Sequence, residues 1–167
     1  MLSEKKLSKQ VKQITQNKPM SVIDLKTLYE TDDFEWLEST IELLKNRQFN
    51  ALDLENLIEE LEYLSGSIKS TVFSKLRNIV AHLLLLQYWE SERNYNANGW
   101  RAEISNWRDE LERELTTNLR KYLEENLDLV YERALRYVKK KTGHSVNFPE
   151  TRPSDYTLEN LLDFDWE

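Results

Sequence analysis

An arginine and a histidine close the two ends of RNIVAH, residues 77–82, and they are the side chains in this sequence whose spacing best suits chemistry. A histidine near its reference pKa of about 6.5 gives or takes a proton at neutral pH, the requirement of a general acid or base. Asn78 adds a polar neighbour. On a helix Arg77 and His82 lie roughly 140° apart at 100° per residue. The plainer reading is a structural or interface histidine. With ten arginines among 167 residues, such a spacing arises readily by chance, and short motif matches are often accidental. Arg77, Asn78 and His82 therefore stand as candidates for catalysis with no role assigned.

Other constellations are thinner. Glu55, Glu59, Glu60 and Glu62 could hold a metal or do acid–base work, but a di-iron bundle needs Glu-x-x-His on two helices. The residues three before His82 and His144 are Ile79 and Lys141, so no metal site and no cofactor is expected. Glu60 and Glu62 flank the apolar stripe of their helix and are candidate binding residues, with salt bridges or a solvated face as the default. Five tryptophans could stack bases, yet Trp100 and Trp107 fall on an apolar stripe and read as core. Three isolated glycines give no phosphate-binding loop, and His144 reads as an exposed loop residue.

The totals exclude several classes. Hydrophobic residues make up 40% and charged residues 32%, too apolar for a disordered chain and too charged for a membrane protein. The longest nearly apolar run, Ile79 to Trp89, is well short of the ~20 residues that span a bilayer. No apolar stretch follows MLSEKKLSKQ, so no secretory leader is expected. The absence of cysteine removes disulfides and thiolate chemistry and fits a reducing cytoplasm. The net charge is −7, but residues 1–20 carry five lysines against Glu4, a local +4 that leaves −11 for the remainder. That acidity disfavours nucleic acid as a partner.

Few chain-breakers and no period-2 alternation predict an all-α protein. The expected architecture is a single-domain bundle of about five main helices, mostly antiparallel, with a short C-terminal helical turn. Residues 1–20 form a basic extension, either a short helix or disordered. Residues 21–167 form the domain, and the last ~18 are an acidic docking tail. Asp32 or Thr31 caps a helix, with Glu35 placed for a capping box, and Phe34, Leu37, Ile41 and Leu44 form its buried stripe. Leu54, Leu57, Ile58, Leu61 and Leu64 form the next, and Gly66 breaks or kinks the chain. Ile79 to Trp89 form the deepest turns. ESERNYNANGW, residues 90–100, reads as a loop with a turn at Asn98-Gly99. Trp100, Ile104, Trp107, Leu111 and Leu115 line one face of the helix that follows, with Arg108–Glu112 and Asp109–Arg113 as solvated pairs on the other. That helix runs on with a break near Asn126 and stops at Gly143. The tail ends in a turn over Thr157–Leu162.

Two resemblances follow from these stretches. Arg77-x4-His82 between helical segments resembles the motif of the HEPN ribonucleases. The resemblance implies an arginine on the scissile phosphate, a histidine on the 2′-hydroxyl proton, and a dimer that pairs two such helices. Four longer stretches carry the second: LYETDDFEWLESTIELLKNRQFNALDLENLIEELEYLS (28–65), AHLLLLQYWE (81–90), GWRAEISNWRDELERELTTN (99–118) and FPETRPSDYTLENLLDFDW (148–166). Together they resemble the bacterial domain-of-unknown-function family number twenty-nine. That resemblance implies a helical fold over residues 28–166 and supplies no catalytic residues. The expected function is a cytoplasmic, non-catalytic helical module that binds a protein partner or self-associates, with Leu85 and Trp89 as a candidate outward patch. A metal-independent ribonuclease using Arg77 and His82 is the alternative. An acidic partner of a basic protein or toxin, steered by Glu55, Glu59, Glu62 and the tail acids, is the third.

Overall fold

The computed structural model describes residues 24–167; the basic extension lies outside the described residues. Among the described residues every regular element is helical: α1 (Leu25–Thr31), α2 (Asp33–Lys45), a 3-10 turn (Phe49–Ala51), α3 (Leu54–Tyr88), α4 (Glu90–Glu114), α5 (Thr117–Glu125), α6 (Leu127–Lys141) and α7 (Leu158–Leu162). The chain divides into two compact units, Met1–Glu62 and Tyr63–Glu167, and the division falls inside α3.

In the first unit, Asp24 caps α1 through Lys26 N–H, and Asp32 caps α2 by accepting from Glu35 N–H at 3.0 Å. The expected stripe of α2 is not the buried one. Phe34, Leu37 and Leu44 are exposed, whereas Trp36, Thr40 and Leu43 are buried, with Trp36 edge-on to Tyr29 at 5.0 Å. The large aromatic ring decides which face turns inward, since it removes the most apolar area from water. Leu54, Ile58 and Leu61 on the first turns of α3 are exposed too, contrary to expectation.

The second unit holds the main core. Val72, Leu76, Ile79 and Leu83 to Leu86 are buried on α3, facing Ile104 and Leu111 of α4, Leu123 of α5, Val130, Ala134 and Val138 of α6, and Leu158 and Leu161 of α7. Gly66 neither breaks nor stops α3, which runs for 35 residues. The expected loop at 90–100 is helix. The chain turns instead at Trp89, which is held by its stack on Trp100 at 6.0 Å and by Arg93, whose Nη2 donates to the Gln87 carbonyl at 2.6 Å. Gly99 sits in mid-helix, where its cost relative to alanine is about 1 kcal/mol and the neighbouring turns outweigh it. Thr116 caps α5, Asn126 separates it from α6, and α6 ends before Gly143, whose φ of +60° suits glycine.

The tail is docked by Arg108, a residue that spacing alone marks as solvated. Its guanidinium is buried and donates to the carbonyls of Leu161 (2.9 Å), Phe164 (3.4 Å) and Trp166 (2.8 Å). Tyr156 Oη donates to Gln87 Oε1 at 2.9 Å, and Tyr131 Oη donates to the Pro149 carbonyl at 2.7 Å. Burial pushes the Tyr131 phenol up to about 12, so it stays a donor at any ordinary pH.

Candidate functional site

Three helices of the second unit form an open cleft of about 550 Å³. Arg77, Asn78 and His82 come from α3; Tyr95, Asn96, Gly99, Trp100, Glu103 and Trp107 from α4; Tyr137 and Lys141 from α6. The three candidates from the RNIVAH stretch thus share one site with partners more than ten residues away. Arg77 Nη2 donates to Asn78 Oδ1 at 2.9 Å.

His82 is 8% exposed at the floor of the cleft, with its ring edge-on to Trp107 at 4.9 Å. Nδ1 lies 2.9 Å from the Asn78 carbonyl and Nε2 lies 2.8 Å from Glu103 Oε2. A carbonyl only accepts, so Nδ1 carries a hydrogen. The Nε2–carboxylate contact becomes a charge-assisted hydrogen bond only when the ring takes up a second proton. Burial pushes the His82 imidazolium below its usual range; the Asn78 carbonyl and the Glu103 carboxylate oppose that, and the nearby Lys141 ammonium adds to it. Glu103 stands where a substrate hydroxyl would have to approach Nε2.

The cleft has two cations with no carboxylate partner among the described residues. One is Arg77. The other is Lys141, whose Nζ lies 5.7 Å from the Tyr137 ring centroid and 3.5 Å from its hydroxyl. Away from the cleft, Lys75 pairs with Glu110 and Glu114, Arg101 with Glu167, Lys139 with Glu150, and Arg152 with Asp128.

The remaining candidates lie apart from this cleft. Glu60 accepts from Tyr29 Oη at 2.8 Å, and Glu62 is exposed. Leu85 is wholly buried and Trp89 is partly buried against Trp100, so neither forms an outward patch. The surplus apolar surface lies elsewhere. In the first unit Phe34, Leu37, Leu44, Phe49, Leu54, Ile58 and Leu61 are exposed. In the second, α3 begins with exposed Tyr63, Leu64 and Ile68.

Sequence reading missed Glu103, Tyr95 and Lys141 as cleft residues. No signal joins Glu103 to His82 before α4 is known to start at Glu90, and Lys141 is equally well explained as a charge at a helix C-terminus. Among the described residues no cluster of three or more His, Asp or Glu side chains is placed to hold a metal, and no helix is long and apolar enough to cross a membrane.

A chain whose regular elements are all helical among the described residues, with a mixed-charge cleft and an apolar surface, belongs to a class that many activities share. Within it the chain belongs to the family described as Domain of unknown function DUF29, whose model matches residues 28–167. No curated protein and no solved structure matches it.

Proposed function

We propose that the chain is a non-catalytic protein-binding module, and that self-association is the form of binding it can satisfy alone. One observation carries this reading. Seven large apolar side chains of the first unit are exposed, Phe34 by 67%, Leu61 by 57% and Ile58 by 54%, while its buried hydrophobics among the described residues are Trp36 and Leu43. Isolated apolar residues on a surface are ordinary, but a concentration of this kind marks an interaction face. Leu54, Ile58 and Leu61 step by four and three along α3, the spacing of a seam that takes another helix. Sedimentation velocity of the 20.0 kDa chain tests it. The wild type should sediment as a dimer or larger, and the double variant Ile58→Glu, Leu61→Glu as a monomer with unchanged far-ultraviolet dichroism. A wild-type monomer at every concentration would contradict self-association.

The ribonuclease reading draws support from the shared cleft of Arg77, Asn78 and His82. Against it stand the Asn78 carbonyl on Nδ1 and the Glu103 carboxylate on Nε2, which adds negative charge where a phosphate would sit. RNA cleavage in the presence of chelator, lost on His82→Ala, would establish it; equal inertness of the two proteins would end it. The acidic-partner reading is weakened because Glu55, Glu150 and Glu167 already hold Lys26, Lys139 and Arg101.

A further inference from the structure

The cleft of the second unit has a composition that association through the first unit leaves unused. We propose that it binds a small phosphomonoester carrying a planar ring, with Arg77 and Lys141 on the phosphate and Tyr95 and Trp107 beside the ring.

Three observations converge. First, the cavity is open and holds about 550 Å³, within the range of roughly 300–1,000 Å³ typical of small-ligand sites. Second, the two cations that line it come from α3 and α6, 64 positions apart in sequence, and have no carboxylate partner among the described residues. Two such cations on one cleft, where the lining holds one carboxylate, make a local anion site. Arg77 spends one N–H on Asn78 and keeps the others of its fork, the geometry that matches phosphate oxygens. Glu103 is the cleft's single carboxylate, and it is held at 2.8 Å by His82 Nε2. Third, Tyr95 is 84% exposed at this cleft, an aromatic ring left in water, and Trp107 lies partly buried in the same wall. Exposed aromatic faces of this kind stack planar rings, as they do bases in single-stranded nucleic-acid sites. The binding is non-covalent, and no bond is made or broken.

Isothermal titration of the full chain at about 50 mM salt tests it with three probes: adenosine monophosphate, adenosine and inorganic phosphate. The monophosphate should bind, with at least about tenfold weaker binding of each of the other two. Arg77→Gln and Lys141→Gln should each weaken the monophosphate about tenfold, and Tyr95→Ala by several-fold. Lys140→Gln, at an exposed lysine outside the cleft lining, should change nothing. Lys141 is also exposed, so Lys141→Gln is expected to fold even if Arg77→Gln does not. No binding at millimolar monophosphate would overturn the proposal. So would adenosine or phosphate binding as tightly as the monophosphate, or equal weakening by Lys140→Gln and Lys141→Gln.

Discussion

His82 sits in a row of buried leucines and still presents both ring nitrogens to polar partners. Desolvation outweighs those partners, so its folded pKa lies below the unfolded value of about 6.5. The unfolded chain then binds the proton first as the solution is acidified. The site's contribution to stability is full above about pH 6.5 and is lost as pH falls through the folded pKa. A two-dimensional NMR titration should place His82 below the unfolded value, and Glu103→Gln, which removes an opposing charge, should lower it further. A His82 value above 6.5 would show that Glu103 dominates instead. Arg108 is the other residue whose role is set by burial. Replacing it with alanine strands three carbonyls of the tail, and denaturant unfolding should show a loss of about 2–4 kcal/mol. Arg108→Lys should recover only part of that, because an ammonium cannot reproduce the planar fork.

At the scale of elements, α3 shows two environments along one rod. From Val72 to Leu86 its apolar residues are core; from Leu54 to Ile68 most are in water. Leu85→Ala should cost about 2–5 kcal/mol through cavity formation, while Leu61→Glu should change monomer stability by no more than about 0.5 kcal/mol. Gly66→Ala should stabilise α3 by about 0.5–1 kcal/mol in thermal unfolding, since an added Cβ there meets nothing within 4 Å. Much of the helical framework was legible in sequence: the buried leucines at 83–86, the cap at Asp32, the stop at Gly143 and the turn over Thr157–Leu162 all follow from local rules. What local rules missed has a common cause. Periodicity puts Phe34, Leu37 and Leu44 on one helix's apolar stripe and Leu54 and Leu61 on the next helix's, but does not say whether either stripe meets this chain or another. The tract 90–100 looks like a loop because its glycine and asparagines are counted singly, whereas Arg93 and Trp100 bind it to the end of α3. The cleft was half legible, since Arg77 and His82 are local and Glu103, Tyr95 and Lys141 are brought in by packing.

For the whole molecule the division of labour follows the division of the chain. The second unit is where most apolar side chains are withdrawn from water; the first leaves them exposed, and the proposed association rests on that excess. Apolar association should be nearly insensitive to ionic strength, whereas steering by the acidic surface would weaken steeply with salt. The measurement that tests the central claim most directly is sedimentation velocity of the wild type and of Ile58→Glu, Leu61→Glu, each at about 50 and 500 mM salt. A wild-type oligomer that survives the higher salt and dissociates in the double variant, with the helical dichroism intact, is the predicted result. A wild type that is monomeric throughout, or an oligomer untouched by the two glutamates, would contradict it.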